Sequence, residues 1–265
     1  MRHWIPFLKS APSVSVIRLS GVIAAGRRGG LNDEKLSPVL ERAFRRGKPV
    51  AVALVLNSPG GSPVQSSLIG ARIRRLAGER NIPVYAFVED IAASGGYWLA
   101  AAADEIWIDQ SSIVGSIGVI SSSFGLDELI GRHGVKRRVH TAGKSKSMLD
   151  PFQAEKPADV KRLKALLGQI HENFIAQVKA RRGQRLSVDA DLFNGDIWVG
   201  AKALEVGLAD GIGHVVPKMK ERYGDKVRFR DYGIKRGLMQ RFGTQIVGDV
   251  LAGAEERAEF ARFGL

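Results

Sequence analysis

Residues 51–56 read Ala-Val-Ala-Leu-Val-Leu, an apolar run with no polar break, which passes directly into Asn57-Ser58-Pro59-Gly60-Gly61-Ser62. An uninterrupted run of this kind fits a strand buried on both faces, as in a parallel sheet with helices on either side. Further strands are expected at Val14 to Ile23, Val84 to Val88, Glu105 to Ile108, around Val119, at Val135 to His140 and at Val227 to Phe229. Helices are expected at Leu36 to Arg46, Val64 to Leu76, Gly95 to Ala103, Leu126 to Arg132 and Ala201 to Glu205, with a turn at Asp210-Gly211. This alternation implies an α/β fold with a mainly parallel sheet and right-handed crossover helices. A long helix is expected over Asp159 to Arg182, with Leu163, Leu166, Leu167, Ile170, Phe174, Ile175 and Val178 on one side. An amphipathic helix is expected over Leu238 to Phe263, broken near Gly243, Gly248 and Gly253. No linker or repeat separates these pieces, so they read as one domain with C-terminal helical appendages.

Composition excludes several classes. The absence of cysteine rules out a disulfide framework, a thiol nucleophile and a thiolate metal site. The apolar stretch Val14 to Ala25 is interrupted by Ser15, Arg18 and Ser20, and Met1 to Lys9 holds only Trp4 to Leu8 as an apolar core. Neither meets the length of a membrane span or a secretory signal, so a cytoplasmic chain is expected. Forty Lys and Arg against 27 Asp and Glu give a net charge of +13. The basic residues are dispersed, as in Arg42, Arg45, Arg46, in Arg72, Arg74, Arg75, in Lys136, Arg137, Arg138 and in Lys179, Arg181, Arg182. They read as solvated helix faces, and no nucleic-acid module accompanies them. Peripheral attachment to the anionic inner face of a membrane is the partner that such charge leaves open.

Two segments have the composition of a reactive site. Gly60 and Gly61, between a buried strand and a helix start, let the chain turn sharply and bring amide groups close to a ligand. The segment lacks the spacing and lysine of a phosphate-binding loop. Ala92-Ala93-Ser94-Gly95-Gly96-Tyr97-Trp98 places Ser94 at a helix start, where it would cap the helix or, cleared by small neighbours, act as a nucleophile. A serine nucleophile needs a base. His3, His133, His140, His171 and His214 all read as surface or packing residues, since none lies in a glycine-rich loop. A lysine whose proton affinity is depressed by burial is the other choice, and the loop Ala142 to Pro151 offers Lys144 and Lys146 without local grounds to prefer either.

Four segments in order, Asn57 to Ser62, Ala92 to Tyr97, Val114-Gly115-Ser116-Ile117-Gly118-Val119 and Gly143 to Pro151, resemble the S49 serine peptidases of the signal peptide peptidase A type, within the ClpP/crotonase superfamily. The similarity runs from about Val14 to Gly213 and includes Gly200-Ala201 and Gly207-Leu208-Ala209-Asp210-Gly211. It implies an N-terminal segment over 1–12, a ClpP/crotonase-like peptidase domain over 13–215 and a C-terminal extension over 216–265. It further implies a Ser–Lys dyad supplied by a single chain, with Ser94 as nucleophile and Lys146 as general base. Ser116 matches a hydroxyl that orients the lysine, and the amides of Gly61 and Gly95 match the oxyanion hole. Lys144 is the runner-up base, because this loop carries two lysines. No metal or cofactor is implied. The family pattern implies short or unfolded peptide substrates, residual signal peptides among them, and a homo-oligomeric ring or dome.

Two other classes compete. A crotonase-like acyl-CoA enzyme would use the same oxyanion hole with a carboxylate base, for which Glu89 and Asp90 are near in sequence. A catalytically silent scaffold would leave the Ser94 and Lys146 pairing without purpose. Trp98, Met148 and Leu149 are expected to form an apolar specificity pocket.

Overall fold

The structure is a computed structural model that describes residues 11–26, 30–143, 145–233 and 257–265. Its elements are β1 (Ser13–Ser20), α1 (Asp33–Arg45), β2 (Ala51–Ser58), α2 (Pro63–Arg80), β3 (Val84–Ala93), α3 (Gly95–Ala101), β4 (Glu105–Ile108), β5 (Ile113–Gly115), α4 (Asp127–Arg132) and α5 (Pro157–Arg182). There follow β6 (Ile197–Val199), α6 (Gly200–Glu205), β7 (Gly211–Ile212), α7 (Val215–Tyr223) and β8 (Arg228–Tyr232). The sheet order is β6-β5-β3-β2-β1-β8, with β4 pairing β3 and β7. Every pairing is parallel except β5 with β6.

The central strand β2 is covered on both sides. Val52, Leu54 and Leu56 face a core shared with α1, α2, α3 and the last turns of α5. Ala51, Ala53 and Val55 face a second core closed by Met219 of α7 and by Val227. Local chemistry starts the helices where they begin. The Asn32 side-chain Oδ1 accepts from the Lys35 amide at the head of α1, and Ser62 Oγ accepts from the Gln65 amide at the head of α2, just before Pro63. Arg72 holds the Asp33 carboxylate with two hydrogen bonds of 2.7 Å, joining these two helices. Those bonds keep the Asp33 carboxyl below its ordinary proton affinity, against the opposing effect of burial.

β3 is the branch point of the sheet. Its first half, Tyr85–Val88, pairs with β4, and its second half, Ile91–Ala93, pairs with β5. On the other side the register shifts between Leu56 and Ser58, so that Ser58 meets Ala92. The carboxyl ends of β2, β3 and β5 therefore converge, the place where parallel sheets bind ligands.

Several expectations need correction. No strand forms around Val119 or at Val135 to His140; the second branch strand is instead β5, at Ile113–Gly115. Residues 135–140 are nearly all exposed and have no neighbouring strand to take their backbone hydrogen bonds. Only Phe174 and Val178 of the apolar stripe on α5 are buried, because only the last turns of this helix pack on α3, and Leu166 is 42% exposed. The turn expected at Asp210-Gly211 opens β7, and neither β6 nor α7 was expected. Beyond residue 215, α7 and β8 pack on and pair with the main sheet. Most of the expected helix at Leu238 to Phe263 lies outside the described residues, which show helix at 257–261.

One ion pair, built on a buried arginine, fastens the helical layer to the sheet. Arg182, at the end of α5, is 3% exposed. It donates to Asp210 at 2.7 and 3.0 Å and to the Gly207 carbonyl at 2.9 Å, while Asp210 also accepts from the Ile106 amide at 2.7 Å. Beside it the Tyr97 phenol donates to the Leu208 carbonyl at 2.9 Å, and its burial raises its proton affinity. Removing one partner of such a pair strands the other charge away from water. Asp210→Ala is expected to lower stability by about 3–5 kcal/mol in urea unfolding; a loss below ~1 kcal/mol would contradict this anchoring role.

Candidate active site

Three loops meet at the converging strand ends, and glycine is what lets them meet. Gly60 and Gly61 have φ of +102° and +136°, in the half of backbone space that other residues avoid. A Cβ at Gly60 would lie 2.8 Å from the Ser94 Cβ and 2.7 Å from the Gly95 nitrogen. A Cβ at Gly96 would fall on the Ser58 carbonyl. The two glycine segments thus pack backbone against backbone. Ser58 locks this arrangement, with its hydroxyl donating to the Gly21 carbonyl at 2.7 Å and accepting from the Gly60 amide at 3.2 Å. The Ile23 amide donates to Gly60 O, and the Ser62 amide to Ile23 O, each at 2.7 Å.

Ser94 begins α3 at φ +51° and ψ −121°, a conformation that glycine normally occupies in tight turns. Its hydroxyl forms no capping bond with the helix it starts. The capping role that the sequence offered for Ser94 is therefore not the one adopted. Its amide donates to the Gly115 carbonyl at 2.8 Å, which ties it to β5. Among the described residues, the amides of Gly61 and Gly95 have no protein acceptor.

These groups line one cavity of about 620 Å³ that includes Gly61, Ser94, Gly95, Ser116, His171 and Phe174. Trp98 lines it as well, stacked on Phe174 with ring centroids 5.1 Å apart. Ser116 is a second strained residue at φ +50°, and its amide donates to the Asp196 carbonyl at 2.7 Å. From the far end of the chain, Glu259, Arg262 and Phe263 close one side of the cavity.

Lys146 stands elsewhere. It is exposed, in the turn that precedes Pro151, and it is absent from the cavity lining. Its loop is tethered by a 2.6 Å hydrogen bond from Arg162 to the Ser145 hydroxyl and by Arg137 on Asp150 at 2.8 Å. The Arg137 hydrogen bond also holds the Asp150 carboxyl below its ordinary range. Lys144 lies outside the described residues. Of the residues expected to form an apolar pocket, Trp98 lines the cavity, Leu149 lines a separate cavity and Met148 lines neither.

The carboxylates that a crotonase-like reading requires are engaged away from Ser94. Glu89 pairs with Arg18 at 2.9 Å, Asp90 accepts from Asn57 at 2.6 Å, and both line a different cavity. Among the described residues, no cluster of three or more His, Asp or Glu is placed to hold a metal ion. The turn at 194–196 and the ring of His171 were not recognised in the sequence, because nothing local marks them and only the tertiary fold brings them to Ser116.

Residues 77–223 match the model of peptidase family S49. The chain is 46% identical over 271 residues to a protein of Brucella melitensis biotype 1 named Na(+)/H(+) antiporter NhaA, covering 95% of this chain and 37% of that one. It is 29% identical over 236 residues to a protein of Haemophilus influenzae named a probable protease, SohB, covering 88% of this chain and 64% of the relative. The chain thus spans about a third to two thirds of the length of these relatives. Among solved structures, a mutant of the 1510-N membrane-bound stomatin-specific protease aligns with a TM-score of 0.45 at 14% identity, covering 84% of this chain and 98% of that one. The family match covers more than half of the sequence, and the chain belongs to peptidase family S49.

Strain at Ser94 is directly testable. A non-glycine residue in such a conformation carries about 1–3 kcal/mol of strain, larger than the roughly 0.5–1 kcal/mol that glycine's chain entropy costs. Ser94→Gly is therefore expected to be more stable than Ser94→Ala by about 1 kcal/mol in thermal or urea unfolding. The reverse order would contradict the strained turn.

Proposed function

We propose that this chain is a serine peptidase acting on short or unfolded peptides, with Ser94 as nucleophile, Lys146 as general base and Ser116 as the hydroxyl that orients the amine. The supporting observation is the uncapped Ser94 hydroxyl on a strained turn, in a cavity also lined by Gly61 and Gly95, whose amides have no acceptor among the described residues. In this reading the Ser94 Oγ attacks the scissile carbonyl carbon and its proton passes to the neutral Lys146 amine. The carbonyl oxygen becomes an anion held by the amides of Gly61 and Gly95. Donors of this kind are each worth about 10²–10³ in rate. The protonated lysine then gives its proton to the leaving amine, and an acyl ester remains on Ser94. Water, deprotonated by the same lysine, attacks that ester and releases the second product.

The exposed position of Lys146 sets a condition on this mechanism. Lys146 is not among the residues that line the Ser94 cavity, so the base must be brought to that cavity before it can take the serine proton. The surroundings suggest how. Ile120, Phe124, Leu129 and Val135 are 53–85% exposed on the segment that leads to the Lys146 loop. An apolar surface of this kind is characteristic of an interaction face. Association of copies of the chain across it, within a homo-oligomer, would cover these side chains and strip water from the lysine. The acyl-CoA reading lacks a carboxylate near Ser94 other than Glu259 among the described residues. Among the described residues no helix is long and apolar enough to cross a membrane.

Ser94→Ala and Lys146→Met are each expected to remain folded and to lower peptide hydrolysis by at least about 10³-fold. Mass-spectrometric profiling of a peptide pool would read this out. Co-expression of the two inactive variants separates the alternatives for the base. Recovered activity places Ser94 and Lys146 on different copies, and continued inactivity places them on one. Undiminished hydrolysis by Lys146→Met would refute the dyad.

A further inference from the structure

His171 gives the Ser116 loop a support that the reading above does not use. It lies on the part of α5 that walls the cavity, and its Nε2 is 2.9 Å from the Ile117 carbonyl oxygen. A carbonyl oxygen only accepts, so Nε2 carries the proton and donates it. That nitrogen has no lone pair to offer Ser94, which excludes it as the base. The loop it grips is held at other points too. The Gly115 carbonyl accepts from the Ser94 amide at 2.8 Å, the Ser116 amide donates to Asp196 O at 2.7 Å, and the Gly118 amide donates back to Ser116 O at 2.9 Å. The 194–196 turn is itself braced, with Asn194 Nδ2 donating to the Asp196 carboxylate at 2.7 Å and the Asp196 amide donating to Asn194 Oδ1 at 2.9 Å. The Ile117 side chain is fully buried. Ser116 thus sits at φ +50° between a peptide plane fixed by Asp196 and another fixed by His171.

We propose that His171 is a positioning residue for the reaction: by holding the 117–118 peptide plane it keeps Ser116 in its strained conformation on the cavity wall. This rests on the peptidase reading and adds to it the element that places the orienting hydroxyl. A helix thereby sets the geometry of a site otherwise built from strand ends. Misplacing a supporting group by about 1 Å can cost as much as 10²-fold in rate.

The test uses His171→Leu, which removes the donor, and His171→Gln, whose side-chain amide supplies an N–H at similar reach. Amide hydrogen exchange at Ser116 and Gly118 reads the clamp without reference to activity, and kcat and KM on a peptide substrate read its consequence. His171→Leu is expected to speed exchange at both amides by about tenfold and to lower kcat by about tenfold or more with little change in KM. His171→Gln should restore both. In a Ser116→Ala background the Leu substitution should cost nothing further in kcat, because the two act as a unit. Unchanged exchange in His171→Leu, an equal loss in both variants, or losses that add in the double variant would each overturn the proposal. Faster exchange in a protein whose wild type hydrolyses no peptide would overturn the peptidase reading, and the positioning role with it, while leaving the clamp as structure.

Discussion

The approach of two backbones is the constraint on which the site depends. The segments after β2 and β3 come so close that a single methyl group on Gly60 or Gly96 would collide with main-chain atoms. This packing places Gly61 and Gly95, whose amides have no acceptor among the described residues, in the cavity that Ser94 lines. It also accounts for the strain, because Ser94 is held in a glycine-like turn by contacts on both sides, the Gly115 carbonyl among them. Strain of this order persists only where the surroundings over-determine it. The covered sheet and the pairing of buried Arg182 with Asp210 supply that surrounding.

Around this rigid half stands a less enclosed one. The stretch from residue 119 to 156 is mostly exposed, and it carries both the lysine loop and a set of uncovered apolar side chains. The half of the proposed dyad that needs fixed geometry is already built. The half that needs dryness is the part that the proposed association between copies would complete. A peptidase whose base is complete only after assembly would be held inactive until it reaches its working form.

Much of the rigid half was legible in the sequence. The apolar run at 51–56 announced a strand covered on both faces, and the paired glycines marked the two turns because few other residues can occupy them. Ser94, Ser116, Gly61 and Gly95, 55 residues apart at their extremes (116 − 61 = 55), line one cavity. Less could be read where neighbours decide the outcome. Val135 to His140 has strand-like composition but no partner strand, and the apolar side of α5 is covered only over its last turns. His171 looked like a packing residue because its role depends on a carbonyl 54 positions away. Lys146 is preferred over Lys144 only by resemblance to the S49 pattern, and no local feature of the loop specifies what would bury either lysine.

The most direct measurement of the central claim is a crystal structure of the protein after reaction with a serine-directed phosphonate. A covalent adduct is expected on Ser94 Oγ, with one phosphonyl oxygen about 2.7–3.1 Å from both the Gly61 and the Gly95 nitrogens. An adduct on another serine, or one on Ser94 whose oxygens turn to solvent and leave those amides unpaired, would contradict it.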